Sequence, residues 1–72
     1  MPTLFVFDGY KIRLYFGDHG APHVHLIGAD CEVAIAIENG EVIIGWAPAA
    51  ALATAQRFIA DNRDSLLAQW RK

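Results

Sequence analysis

The chain has 72 residues, 54% of them hydrophobic, and a formal net charge of −2 at pH 7. This composition argues against disorder, and the negative charge argues against non-specific nucleic-acid binding, which depends on neutralising phosphates. Cys31 is the single cysteine, so no internal disulfide can form, and no apolar run is long enough to span a bilayer. We therefore expect a single domain over residues 1–72, a cytoplasmic location and no membrane partner.

An Asp8-Gly9 pair between apolar segments predicts a first hairpin. Both central residues of a type I′ turn need positive φ, and this dipeptide is the strongest short signal for such a turn. A two-residue turn pairs Phe7 with Tyr10 and Thr3 with Leu14, and side-chain alternation then separates an apolar side from a mixed side. The apolar side comprises Phe5, Phe7, Tyr10, Ile12, Leu14 and Phe16, and the mixed side comprises Leu4, Val6, Lys11, Arg13 and Tyr15.

Residues 22–37 predict a second hairpin that turns at Gly28-Ala29, a Gly-X pair suited to a type II′ turn. A two-residue turn at this point places His25 directly opposite Glu32. The apolar side comprises Val24, Leu26, Cys31, Val33, Ile35 and Ile37, and the opposite side carries His23, His25, Asp30 and Glu32. A slip of one residue would turn both histidines into the core, so the side on which they lie is well specified.

A third type I′ signal, Asn39-Gly40, predicts the pairing of Ile35 with Ile44 and of Ile37 with Val42. The last strand then covers residues 41–46. Strands joined in this way form an antiparallel meander of about five strands with one apolar side.

The spacing of apolar residues changes to about 3.6 after Pro48, which fits the first turn of a helix. The residues predicted on one stripe of the helix are Ala51, Leu52, Ala55, Phe58, Ile59, Asn62, Leu66 and Trp70. An unbroken helix over 48–71 would be about 36 Å long, whereas a six-residue strand spans only about 20 Å. We expect a break near 61–64, with Asn62 or Asp64 capping a second helix. The fold class is therefore α+β, with one long or two short C-terminal helices on one face of the sheet.

All three histidines lie within residues 18–25, where the first two hairpins join. If the second and third strands pair, Lys11, Arg13 and Tyr15 lie beside His23 and His25 on the side of the sheet away from the helices. We expect that side to be open to solvent. It would gather imidazole, carboxylate and cationic groups on one surface.

The first interpretation of this surface is a metal site. His23 and His25 are two residues apart on one strand and could converge on one ion, with Glu32 or His19 as a third ligand. Imidazole and carboxylate groups suit zinc or another divalent metal. The alternative is an exposed His25–Glu32 pair that contributes at most about 1 kcal/mol.

The second interpretation is metal-free acid–base chemistry, such as RNA cleavage. It needs a base, either Glu32 or one histidine, an acid from the other histidine, and a cation such as Arg13 for the developing phosphate charge. Asp30 and Glu32 offset the charges of Lys11 and Arg13, so charge alone does not indicate nucleic acid as the partner.

The third interpretation is protein binding through the edges of the sheet. The two predicted edge strands, residues 3–7 and 41–46, carry almost no charge. An unprotected apolar edge invites strand addition from a partner protein or from a second copy. Trp46 and Trp70 are expected in the core rather than at an interface.

Several segments of the chain resemble those of one bacterial family. They are Met1-Pro2-Thr3, Tyr-Phe-x-Asp-His-x-x-Pro-His-x-His over 15–25, Glu-Asn-Gly-Glu-Val-Ile over 38–43 and Asp-Ser-Leu-Leu-x-x-Trp over 64–70. The family they resemble is a domain of unknown function, DUF4160, whose members are often encoded beside another small domain and are proposed to be toxin–antitoxin components. The resemblance implies that the positions of interest are Asp18, His19, Pro22, His23 and His25.

The residues and the resemblance together predict a toxin–antitoxin-type protein that binds a cognate small protein, or a second copy, and exposes a histidine site. The alternative is a small hydrolase that cleaves RNA. Its catalytic groups would be His23, His25, Glu32 and Arg13, with or without a divalent metal such as zinc.

Overall fold

Five antiparallel strands in chain order form one sheet, and two helices follow them. The computed structural model describes residues 3–14 and 20–71. Its elements are β1 (Thr3–Phe7), β2 (Tyr10–Arg13), β3 (His23–Ile27), β4 (Glu32–Ala36), β5 (Val42–Gly45), α1 (Ala49–Asp61) and α2 (Arg63–Trp70). The strand order β1-β2-β3-β4-β5 confirms the predicted α+β meander and leaves β1 and β5 at the edges.

The first hairpin turns as predicted. Asp8 and Gly9 have φ of 47° and 81°, and Phe7 pairs with Tyr10. An irregularity between Thr3 and Phe5 then shifts the register, so that Thr3 pairs with Arg13 and the predicted pairing with Leu14 is wrong. Phe5, expected in the core, is 38% exposed. The predictions for Tyr15 and Phe16 lie outside the described residues.

The second hairpin has a longer loop than predicted. Ile27 pairs with Glu32, and the Gly28 N–H donates to the Cys31 carbonyl at 2.8 Å, which closes a four-residue loop over 28–31. Gly28 does not have the positive φ that a type II′ turn needs. A Cβ at Gly28 would instead lie 2.6 Å from Cε1 of Tyr10, so this glycine makes room for the Tyr10 ring.

The longer loop moves the β3–β4 register by two residues. His25 lies opposite Ala34, and His23 lies opposite Ala36, so the predicted pairing of His25 with Glu32 is wrong. A shift of two residues keeps every side chain on its own side of the sheet. Val24 and Leu26 are accordingly fully buried, as predicted.

The third hairpin also has a four-residue loop, over 37–40. The Ala36 N–H donates to the Glu41 carbonyl at 2.9 Å, and Ile44 pairs with Ala34 instead of Ile35. Gly40 has φ of 75°, but Asn39 does not have a positive φ, and its Oδ1 accepts the Glu41 N–H at 3.0 Å. The predicted type I′ turn and the Ile35–Ile44 pairing are therefore wrong.

The helices cover the apolar side of the sheet with the predicted stripe. Ala51, Ala55, Ile59 and Leu66 are buried against a core in which Ile12, Leu14, Val24, Leu26, Val33, Ile35 and Ile37 are also buried. Phe58, expected to be buried, is half-buried and stacks on Phe5 with ring centroids 4.9 Å apart. Leu14, Leu26, Ile35 and Leu66, which the strand and helix patterns place in the core, are confirmed as buried.

The predicted break in the helical segment falls at Asn62, whose φ and ψ are −124° and 18°. Its Nδ2 donates to the Phe58 carbonyl at 2.8 Å, which closes the end of α1. No side-chain hydrogen bond caps the start of α2, so the predicted cap is wrong. The carbonyls of Ile37 and Gly40 accept hydrogen bonds from Arg63 and Gln56, and these bonds tie both helices to the β4–β5 loop. Neither of the described helices is long and apolar enough to cross a membrane.

Candidate functional site

The pairing of β2 with β3 places Arg13 beside the histidines, as predicted, and directly opposite His25. Their neighbours Ile12 and Leu26 also pair and are fully buried. Because side chains alternate along a strand, Arg13 and His25 lie on the side of the sheet away from the core. Lys11 lies two residues further along that side, opposite Ile27.

Glu32 contacts His25 diagonally across the β3–β4 pair. The His25 Nδ1 lies 3.1 Å from the Glu32 Oε2, and the two side chains are 20% and 56% exposed. A carboxylate oxygen accepts, so a neutral His25 donates its Nδ1–H and keeps its lone pair on Nε2. The exposure of Glu32 limits the contribution of this pair to stability to about 1 kcal/mol.

His23 is oriented in the same way by a backbone group. Its Nδ1 lies 2.9 Å from the carbonyl oxygen of Ala21, which can only accept, so Nδ1 is the donor and Nε2 carries the lone pair. The His23 and His25 rings lie edge to face, with centroids 5.1 Å apart and an interplanar angle of 63°. The loop before β3 therefore sets the orientation of one histidine and β4 sets that of the other.

Trp70, near the end of α2, contacts the histidine pair. Its ring centroid lies 5.1 Å from that of His23. Both histidines are half-buried, so the side expected to be open to solvent is partly covered at this point by Trp70. Sequence patterning could not find this contact, because the helical stripe places Trp70 toward the core and carries no information about β3.

The predicted metal ligands are only partly brought together. Among the described residues, no group of three or more His, Cys, Asp or Glu side chains is placed to hold a metal ion. Glu32 lies on the Nδ1 side of His25, which is the position of an outer-shell partner rather than of a ligand. Asp18 and His19 lie outside the described residues, and the carbonyl of Pro22 accepts the Ile37 N–H at 3.0 Å.

Two surface depressions lie beside the helices. One has a volume of about 460 Å³ and is lined by residues 60–65 at the junction of α1 and α2. The other has a volume of about 180 Å³ and lies between Phe5 and the outer side of α1. Neither is lined by a histidine, Arg13 or Glu32, so the histidine pair lies apart from both.

The edge strand β5 is the most exposed apolar part of the described chain. Val42, Ile43 and Ile44 are 42%, 52% and 72% exposed, and Trp46, which follows the strand, is 67% exposed. The expectation that Trp46 lies in the core is therefore wrong. At the other edge, Val6 is 65% exposed, but Phe5 next to it stacks on α1.

A five-stranded antiparallel meander backed by two helices, with a histidine pair on the central strand, defines a small α+β domain. The family model described as a domain of unknown function, DUF4160, matches residues 9–71. The chain therefore belongs to the DUF4160 family. No curated protein and no solved structure matches the chain.

Proposed function

We propose that this protein is a component of a toxin–antitoxin-type pair and that it binds its cognate small protein through β5. The observation that carries the proposal is the exposure of an apolar strand at the edge of the sheet. The membership in DUF4160 supports a two-protein module through the resemblance given above, which implies a second small domain encoded alongside.

The chemistry of β5 favours an extended, apolar segment as its partner. In the part of the chain that the structure describes, no strand pairs with the outer edge of β5. An edge strand offers its outward N–H and C=O groups for pairing, and its side chains select the partner. Residues 42–46 contain no charged side chain, so none of the usual charge-based protection against strand addition is present.

The position of Ile44 explains why a partner strand would gain from this edge. Ile44 pairs with Ala34, so it continues the row that runs from Arg13 through His25 across the sheet. A partner strand added to β5 would cover Ile44 and lie on the same sheet as the histidine pair. Apolar burial at about 25 cal/mol per Å² then adds to the main-chain hydrogen bonds.

The test compares one charged residue at each edge of the sheet. Ile44→Lys and Val6→Lys each place a cation at an exposed β-branched position, 72% and 65% exposed. Co-expression with the product of the adjacent gene and co-purification should show loss of the complex for Ile44→Lys and a retained complex for Val6→Lys. For the two proteins purified separately and then mixed, we expect Ile44→Lys to raise the Kd of the complex at least about tenfold, or about 1.4 kcal/mol.

The same two variants distinguish binding through β5 from binding through β1 and from binding elsewhere. A complex that Val6→Lys abolishes and Ile44→Lys leaves intact would move the interface to β1. The protein could instead form a homodimer through β5 that the adjacent gene product does not dissociate. In that case the partner of β5 would be a second copy of this chain rather than a cognate protein. A complex that withstands both variants would refute edge pairing altogether.

A second candidate function is RNA hydrolysis, and the contacts of Arg13, His25 and Glu32 favour it. Glu32 orients His25 as a base, His23 supplies the acid, and Arg13 lies where it could bind a phosphate oxygen. Purified protein should then cleave single-stranded RNA, and His25→Ala and His23→Ala should each lower the rate at least about a hundredfold. Cleavage that survives both substitutions, or no cleavage by the wild type, would refute this candidate.

A further inference from the structure

We propose that His23 and His25 bind one divalent transition-metal ion through their Nε2 atoms, with the Ala21 carbonyl and Glu32 as outer-shell partners. This proposal does not depend on the binding of a cognate protein. It differs from the three-ligand site predicted above, because Glu32 orients the ligand His25 and does not itself bind the metal.

The orientation of both rings supports the proposal. A histidine that binds a metal almost always donates its other ring N–H to a carboxylate or to a backbone carbonyl. His25 makes such a contact to Glu32 at 3.1 Å, and His23 makes one to the carbonyl of Ala21 at 2.9 Å. In the neutral form of each histidine, Nε2 is therefore the nitrogen that carries the lone pair.

The separation of the rings also fits a shared ion. Zinc binds an imidazole nitrogen at about 2.0–2.1 Å, and two imidazoles on one tetrahedral ion therefore have centroids roughly 5 Å apart. The measured separation of the His23 and His25 centroids is 5.1 Å. The rings are tilted by 63°, so they are not stacked face to face.

The two imidazole ligands determine which metals this site can bind. Two imidazole nitrogens suit zinc, copper, nickel or cobalt, whereas magnesium and calcium prefer oxygen ligands. Two protein ligands leave positions for water or for an anion. Arg13, opposite His25, adds a positive charge that opposes a cation, and the carboxylate of Glu32 offsets this charge.

Trp70 provides a direct readout, because its ring centroid is 5.1 Å from that of His23. The variant Trp46→Phe removes the other tryptophan, which is 67% exposed beside β5. Titration of this tag-free variant with Cu²⁺ or Co²⁺ should quench Trp70 fluorescence in a saturable manner at one ion per chain. Zn²⁺ should compete with the quenching ion, and Mg²⁺ should have no effect.

Substitutions in the same background assign the ligands. We expect His25→Ala and His23→Ala each to weaken Cu²⁺ or Co²⁺ binding at least tenfold. Glu32→Ala removes the acceptor of the His25 Nδ1–H and should weaken binding by about tenfold, as loss of an outer-shell partner does. Glu38→Ala removes an exposed carboxylate from the β4–β5 loop and should leave the affinity unchanged.

The proposal fails if quenching is not saturable up to millimolar metal, or if it persists when both histidines are replaced. It also fails if Glu32→Ala and Glu38→Ala have equal effects, since the Glu32 contact would then not orient a ligand. In those cases the two rings only pack edge to face. Far-UV circular dichroism of every variant separates loss of binding from loss of folding.

Discussion

At the scale of single residues, the contacts of a side chain depend more on the side of the sheet on which it lies than on the residue that pairs with it. Glu32 lies opposite Ile27, yet its carboxylate still reaches His25 at 3.1 Å. A slip of two residues preserves sides, whereas a slip of one exchanges them. The contact between His25 and Glu32 could therefore be predicted from alternation, although the predicted register was wrong.

The first stability prediction concerns two buried residues of the central strands. Leu26 and Ile35 are fully buried, so truncation to alanine should lower the free energy of unfolding by about 2–5 kcal/mol at each position. Ile43→Ala, on an edge strand and 52% exposed, serves as the control and should cost about 0.5 kcal/mol or less. Urea denaturation measures all three. Equal losses for Ile35→Ala and Ile43→Ala would contradict the core described here.

At the scale of elements, the attachment of β5 depends on a glycine. Gly45 pairs with Val33 and has φ of 96°, a conformation that L side chains rarely adopt. A Cβ at this position would collide with the backbone carbonyl of Glu32. The strand can therefore lie close to β4 only with glycine at position 45.

Two glycine substitutions test this attachment. Gly45→Ala should cost both the strain of positive φ and the collision, and we expect a loss of at least about 2 kcal/mol in unfolding free energy. Gly40→Ala is the control, because Gly40 has φ of 75° but its Cβ would meet only the Gln56 side chain at 3.9 Å. It should cost only about 1 kcal/mol. If Gly40→Ala is as destabilising as Gly45→Ala in urea denaturation, the close approach of β5 to β4 is wrong.

The three hairpin loops show that a local turn signal in the sequence does not always determine the length of the loop. Asp8-Gly9 forms the predicted turn because both of its residues take positive φ. Gly28 and Asn39-Gly40 resemble turn signals of the same kind, but contacts from outside their hairpins decide their role. The Tyr10 ring packs on Gly28, and Gln56 and Arg63 bind the carbonyls of the loop over 37–40.

At the scale of the whole molecule, the α+β class, the five strands and the helix break could be predicted because each depends on a short local pattern. The position of Trp70 beside His23 could not, because it depends on where α2 ends relative to β3. The exposure of Trp46 could not be predicted either, because no local pattern shows whether a residue that follows an edge strand is covered.

The two proposed surfaces lie on the same sheet but engage different ligands. The histidine pair is on β3, in the centre of the sheet, and Ile44 is on the edge strand beyond Ala34. Substitutions at one surface should therefore leave the other intact: Ile44→Lys should not alter metal binding, and His25→Ala should not abolish the complex.

Amide hydrogen exchange over residues 42–46, measured by mass spectrometry with and without the product of the adjacent gene, tests the β5 interface most directly. Outward N–H groups of β5 should exchange at least about tenfold more slowly in the complex, because a partner strand would bind them. Residues 3–7 of β1, the other edge, should be unchanged. A complex that forms without any slowing over 42–46 would contradict the proposed function.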